Sequence, residues 1–385
     1  VRLSKIAVLS ACASIELMSW RPLSAQDGII QTNAQLTAPL VVNASGESMS
    51  FSDVSQASAT TAASVTRIEP AISPLMSAEF VSLMPSEGLN GWVVQEGKTS
   101  AWHREGEVIS CTSSTGGWLR TEKAYSDFEL RLQYRLQSGG NTGVGLRAPA
   151  FGNPAFNGLE IQLLDDTAGK YANLRPDQYT GSIYYQVPTA QKAPVKTPGE
   201  WNTCEITCLG DLLRVKINGE TVNEVQLNRY QSARAAQADV APRFSLSERP
   251  PVGHIALQSH STQVDFRNIE LRDLTVTTAS GLQYADLEIG EGQTANNPAQ
   301  VTVHYVGQLL DGKRFTDTHD LGTPVTVPVA AVIPGWQEGL QGMKVGGRRR
   351  LIVPPALAYG AQGAGDLIPP DTTLVFEIEL RGLQP

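Results

Sequence analysis

Four cysteines, five histidines and five methionines are spread over 385 residues, with 6% aromatic and 18% charged residues. So little Cys and His leaves no ligand spacing that defines a metal site, and no metal or cofactor is expected. A basic surplus is also missing. Lys and Arg number 30 against 38 Asp and Glu, for a net charge of -8 and a pI near 5.3. A protein that tracks nucleic-acid phosphates releases counterions through clustered cations, so nucleic acid is not an expected partner. The N-terminal apolar stretch, Ile6 to Ala13, is followed by Glu16 and is far below the roughly 20 apolar residues that cross a bilayer.

What is present is a foldable composition, 41% hydrophobic, with 35 Gly and 23 Pro favouring turns and short strands. The length exceeds one ordinary core, which implies two globular domains and connecting segments. Arg2 and Lys5 precede the apolar stretch, and Leu23-Ser24-Ala25 could precede cleavage. This pattern predicts export to the periplasm or cell envelope. Leu9-Ser10-Ala11-Cys12 resembles a bacterial lipobox, so Cys12 is either a lipid anchor or a plain residue of a signal peptide. Cys111, Cys204 and Cys208 remain. The latter two lie four apart on one predicted strand and share a face, which disfavours a disulfide between them and points to buried thiols.

The expected order is a signal peptide over 1–25, a Ser/Thr/Ala-rich tether over 26–78, a first domain over 79–275 and a second over 279–385. In the first domain, Phe128, Leu130, Leu132, Tyr134 and Leu136 alternate with Glu129, Arg131, Gln133 and Arg135. Period two means a half-buried strand. Leu213, Val215 and Ile217 repeat the pattern and end at Asn218-Gly219, a hairpin signal. Many such strands without helical periodicity predict a mainly β chain whose first domain is a two-sheet sandwich. Thr275 to Ser280 forms a short polar joint.

The second domain carries an ordered set of landmarks. They are Val301 to Phe315 with an Asp311-Gly312 turn, Ile333-Pro-Gly-Trp336, Val345 to Pro354, Ala358-Tyr-Gly360, Ile368-Pro-Pro370 and Leu374 to Leu380. This series resembles the FKBP-type peptidyl-prolyl cis/trans isomerases. The resemblance implies an α+β fold, a twisted antiparallel sheet around one short helix starting near Gly335 to Trp336. It also implies proline-containing polypeptides as partners. The barrier of about 18–20 kcal/mol for an X-Pro bond comes from amide resonance, so a dry, shaped apolar pocket suffices and no nucleophile is required. The family's pocket maps onto Tyr305, Phe315, Ile333, Trp336, Tyr359 and Phe376 as catalytic positions, with Val332 and Ile368 as substrate-binding positions. Trp336 would be the floor, and the Tyr359 hydroxyl and Ile333 N–H the donors. Thr316 stands where the family has Asp, with Asp317 one place later, and Val325 and Val327 replace rim aromatics. These departures imply reduced or altered efficiency.

The first domain is similar to the 3-keto-disaccharide hydrolases, which have a concanavalin-like or laminin-G-like sandwich. The similarity rests on Gly88-Leu-Asn-Gly-Trp92, Asp127 to Leu130, Gly140 to Arg147, Asn157 to Asp166, Gly181 to Tyr184, Pro198 to Asn202 and Phe266 to Ile269. Glu160 and Gln162 share a strand face, and Arg147 could lie on a neighbouring strand. With His260 they form the expected carbohydrate-binding set. Tyr184 or Trp118 could stack on a sugar ring. Cleavage could use Glu160 paired with Asp165 or Asp166. It could instead use Glu160 or His260 as a base that eliminates the aglycone next to a ketone. The alternative is a non-catalytic glycan- or protein-binding sandwich that targets an envelope foldase.

Overall fold

The computed structural model describes residues 41–42, 48–49, 78–112, 114–230, 245–260 and 262–384. The expected signal peptide, Cys12 and most of the tether lie outside these residues. Within the tether segment Val41–Val42 pairs antiparallel with Ser48–Met49. No helix among the described residues is long and apolar enough to cross a membrane.

The first domain is a two-sheet sandwich. One sheet runs Leu159–Leu164, Asn141–Ala148, His254–Gln258, Trp118–Thr121 and Trp92–Gln95. The other runs Glu220–Gln226, Leu212–Ile217, Asn202–Leu209, Phe128–Leu136, Val264–Asp273, Val108–Cys111 and Trp102–Glu105, with Val81–Ser82 added beside Val264–Asp273. Phe128, Leu130, Leu132, Tyr134 and Leu136 are buried, as the alternation requires. They meet Val144, Leu146, Ile161, Leu163, Ile255 and Leu257 of the facing sheet in one core. Each such side chain contributes about 1.5–3 kcal/mol on burial. Asn218 and Gly219 both have positive φ, 50° and 85°, and close the two-residue hairpin between Ile217 and Glu220. Cys111, Cys204 and Cys208 are buried thiols, and burial pushes Cys204 up to about 12.

The second domain is an antiparallel sheet in the order Val276–Thr277, Gln283–Glu288, Arg348–Val353, Leu374–Gln384, Gln300–Leu309 and Arg314–Asp317, with Val325–Pro328 also on Gln300–Leu309. Its helix, Pro334–Gly339, begins one to two residues before the expected start, because Pro334 takes the first helical position with its φ preset. Gly335 and Gly339 let the helix lie against the sheet. A Cβ at either would come 2.4 Å from Val353 or 2.6 Å from Leu351.

The joint between the domains is more ordered than a polar linker would be. Leu274 N–H donates to the Asp127 carbonyl at 3.0 Å, and Val276–Thr277 is already a strand of the second sheet. Both carboxylate oxygens of Asp127 accept from Arg350 across the boundary, at 3.0 and 3.1 Å. Glu377 pairs with the same guanidinium.

Candidate functional site

In the second domain, alternation along Gln300–Leu309 and Leu374–Gln384 sends Tyr305 and Phe376 to the side of the sheet that holds the helix. Trp336, in the first helical turn, lies between them at 4% exposure. Its ring meets Tyr305 edge-on at 4.8 Å and Phe376 at 5.4 Å, with interplanar angles of 89° and 90°. Phe315 adds an edge contact to Phe376 at 5.8 Å. T-shaped contacts of this kind fix ring orientations as well as burying area. Phe315 can lie down because position 307 is glycine: a Cβ there would sit 2.6 Å from its ring. Val332, Ile333, Ala358 and Tyr359 are partly buried against the same core, and Ile368 is buried in it. All eight residues of the expected pocket therefore belong to one apolar cluster, in which Tyr305, Phe315, Trp336 and Phe376 are linked by ring contacts.

The polar groups there are few. Burial pushes the Tyr305 phenol up to about 12, with the Thr316 side chain opposing, and burial raises Tyr359 as well. Both remain neutral hydroxyls at physiological pH and can donate. The Trp336 Nε1–H is buried and has no acceptor among the described residues. The Ile333 carbonyl is occupied by Trp336 and Gln337 amides, and the Val332 carbonyl by the Gln337 side chain at 2.9 Å. Beyond Tyr359, a reciprocal backbone pair between Ala364 and Ile368 closes the loop that carries Ile368 into the pocket.

The departures noted in the sequence have structural consequences. Asp317 is turned out of the pocket. It caps the Thr318–Leu321 turn by accepting from His319 N–H at 2.9 Å and pairs with Arg314 at 3.2 Å. Val325 and Val327 pair with Val303 and Val301, and Val327 is buried, so neither supplies an aromatic rim. A residue that motif matching passes over is Thr318. It is 1% exposed, and its hydroxyl accepts from Tyr305 N–H at 2.8 Å and donates to the Tyr305 carbonyl at 3.2 Å. No local periodicity signals this role, because the contact joins a turn to a strand thirteen residues earlier.

In the sandwich, Glu160 and Gln162 point away from the core that holds Leu159, Ile161 and Leu163. Glu160 lies over Gly143, where a Cβ would meet its Oε1 at 2.2 Å. It is 1% exposed, and neither carboxylate oxygen has a hydrogen-bond partner among the described residues. Burial pushes its pKa up to about 8; the Gln258 side chain opposes the rise without reaching hydrogen-bonding geometry. Gln162 donates to the Asn141 side chain at 3.1 Å. Tyr184, half-buried, donates its backbone N–H to the Glu160 carbonyl and stacks edge-on with Tyr185 at 4.4 Å.

Arg147, Asp165, Asp166 and Trp118 are engaged with other partners. Arg147 has a φ of 48° and sits in a bulge of its own strand, where the pairing passes from Ala148–His254 to Gly145–Ala256 and the alternation breaks. Its guanidinium turns towards the domain boundary, donating to the Gly210 carbonyl at 2.7 Å and the Ser126 carbonyl at 3.2 Å. His260 is exposed beyond the end of its strand, with partial desolvation and Lys170 both lowering its pKa. Asp165 is spent on a turn, accepting from Gly139 N–H and from Thr167, and those bonds hold its pKa low against burial. Asp166 accepts from Thr180. Trp118 is buried with Ala148, Ala155 and Ala256 under the helix Pro154–Asn157, so Tyr184 is the ring left for stacking. Among the described residues no three His, Cys, Asp or Glu side chains are arranged to hold a metal ion.

Comparison with known proteins falls along the same two domains. The sequence model of the 3-keto-alpha-glucoside-1,2-lyase-like domain matches residues 79–272, and that of the FKBP-type peptidyl-prolyl cis-trans isomerases matches residues 291–381. The chain is 43% identical over 109 residues to the FKBP-type peptidyl-prolyl cis-trans isomerase FkpA of Escherichia coli K12, covering 28% of this chain and 40% of FkpA. It is 47% identical over 102 residues to the FK506-binding protein of Neisseria meningitidis serogroup B, covering 26% of this chain and 94% of that protein. This chain thus spans less than half the length of FkpA and nearly all of the smaller relative. A crystal structure of a candidate glycosyl hydrolase from Parabacteroides distasonis ATCC 8503 aligns with 48% of this chain and 100% of its own, at 28% identity and a TM-score of 0.43.

Proposed function

We propose that this chain, which belongs to the 3-keto-alpha-glucoside-1,2-lyase-like family through residues 79–272 and to the FKBP-type peptidyl-prolyl cis-trans isomerases through residues 291–381, isomerises X-Pro bonds over Trp336. The observation that carries this is the edge-on packing of Tyr305 and Phe376 against Trp336, with Phe315 edge-on to Phe376. An amide placed there leaves water, which withdraws the solvent bonds that favour its planar, charge-separated form. The Tyr359 hydroxyl and the Ile333 N–H are the donors that hold the flanking carbonyls in this reading. The test is acceleration of cis/trans exchange in a proline tetrapeptide by the full chain. Trp336→Leu is expected to reduce kcat/KM at least about tenfold, equivalent to about 1.4 kcal/mol of transition-state binding. An unchanged rate would remove the assignment.

A second activity is favoured by Glu160. Asp165 is engaged in a turn and Asp166 with Thr180, so the two-carboxylate route lacks a free partner for Glu160. Burial raises the Glu160 pKa to about 8, so its ionised form is the stronger base for removing a proton beside a ketone, and the proton it takes can pass to the oxygen of the departing aglycone. The substrate in this reading is a 3-keto-glycoside, with Gln162 and Tyr184 at its hydroxyls and ring. Release of sugar from 3-keto-trehalose by the parent, and its loss in Glu160→Gln, would support this. Binding without release would leave a glycan-binding sandwich that targets the isomerase. Export to the periplasm or envelope belongs to the same proposal, supported by the Arg2, Lys5 and Ile6 to Ala13 pattern.

A further inference from the structure

The two domains enclose a cleft of about 1140 Å³. The sandwich lines it with Pro149, Phe151, Pro250 and Val252, and the isomerase domain with Leu310 and Arg314 of its hairpin. That hairpin is held against the sandwich. Arg314 donates to the Ser247 carbonyl at 3.2 Å, and a Cβ at Gly312 would come 2.5 Å from the Glu248 carbonyl oxygen. The cleft is larger than the ~300–1,000 Å³ of typical small-molecule sites.

Large apolar side chains stand exposed in this cleft and next in sequence to residues of the cleft and of the isomerase pocket. Phe151 is 86% and Leu310 42% exposed in the cleft itself. Leu321, at 47%, follows the cleft residue Asp320, and Leu367, at 45%, precedes the pocket residue Ile368. The hairpin strand Arg314–Asp317 joins the two sites directly, because Arg314 lines the cleft while the next residue, Phe315, belongs to the pocket. Exposed apolar groups in such an array mark an interaction surface.

We infer that the cleft holds an extended, apolar-containing segment of the same polypeptide whose X-Pro bond occupies the Trp336 pocket. Continuity with the pocket along one hairpin is the reason for choosing this occupant. The charges around the cleft are mixed, Glu248, Asp311 and Asp320 with Lys313 and Arg314, which suits a chain of varied sequence better than a ligand of one charge. The sandwich would then contribute to client binding independently of any sugar chemistry at Glu160.

This inference rests on the isomerase reading, and its test separates the two. The full chain and the double variant Phe151→Ser/Leu310→Ser are compared on a proline tetrapeptide, which in this reading fills the pocket alone, and on a reduced, carboxymethylated protein whose refolding is limited by an X-Pro bond. Binding of fluorescent reduced carboxymethylated α-lactalbumin is measured in parallel by anisotropy. The variant is expected to keep its tetrapeptide kcat/KM within about twofold and to lose about tenfold both in refolding kcat/KM and in affinity. Equal loss on both substrates, or none on the protein substrate together with unchanged affinity, would overturn the inference. Displacement of the unfolded chain by a soluble oligosaccharide would do so as well, in favour of a sugar. If the parent fails to accelerate the tetrapeptide, the isomerase reading falls, while the anisotropy comparison still decides whether the cleft binds chain.

Discussion

Arg350 donates from one guanidinium nitrogen to both carboxylate oxygens of Asp127, at 3.0 and 3.1 Å, and the two side chains are 2% and 0% exposed. Burial works against the Arg350 charge, but Asp127 and Glu377 outweigh it and raise its pKa above the ordinary value. Asp127 also accepts from Gly210 N–H at 2.6 Å, and Arg147 lies 3.9 Å away. The boundary between the domains is therefore built around an enclosed ionic group whose members come from both.

A buried pair is costly to leave half made, typically about 3–5 kcal/mol, whereas replacing both partners by apolar or neutral groups can be nearly neutral. Arg350→Met is expected to lower stability by about that amount and to separate one unfolding transition into two in calorimetry. Asp127→Asn combined with Arg350→Met is expected to recover part of the loss. A double-mutant cycle measures the coupling, and additive single effects would mean that the pair does not join the domains.

Glu160 gives the sandwich a specific pH dependence. Its folded-state pKa is near 8 against an ordinary value of 4.5, so across that window the folded form holds a proton that the unfolded chain has released. Stability contributed by the protonated form is full below 4.5, falls as the pH rises, and is lost above about 8. Glu160→Gln keeps the shape and removes the titration. The parent's unfolding temperature should fall relative to the variant's between about pH 5 and 9. Parallel curves for the two proteins would show that Glu160 ionises normally.

The sequence makes some of this legible because strand alternation and motif order are local properties. Tyr305, Trp336 and Phe376 could be assigned to one pocket because their motifs, in order, resemble those of the FKBP family; in the structure Tyr305 and Phe376 lie on neighbouring strands. Arg147 could not be placed by counting in twos, because the extra residue of a bulge in its own strand shifts its direction. The run Arg348-Arg349-Arg350 hides an equally sharp distinction. Arg349 bonds Asp286 and the carbonyls of Gly339 and Gln341 within its own domain, while Arg350, one residue on, crosses to Asp127. Alternation predicts opposite faces for the two. Nothing local says that one face meets a partner 223 positions away in the chain.

Gly307 is the position at which the pocket should tolerate least. It pairs with Phe376 on one side and Thr316 on the other, and an added Cβ would lie 2.6 to 2.7 Å from the Phe315 ring and from the Thr316 methyl. The ring cannot retreat freely, since its edge rests on Phe376 at 5.8 Å. Overpacking of this kind costs about 1–3 kcal/mol and is relieved by side chains leaving their preferred rotamers. Gly307→Ala is therefore expected to lower stability by that amount and to swing Phe315 out of the wall that encloses the X-Pro bond. Isomerase kcat/KM on a tetrapeptide should fall more steeply than the unfolding midpoint alone would explain at temperatures where the variant is fully folded. Restoring space with Gly307→Ala/Phe315→Leu should recover stability without recovering the rate, because the smaller side chain relieves the clash but leaves the aromatic wall open. Recovery of both would mean that Phe315 fills volume and takes no part in shaping the pocket.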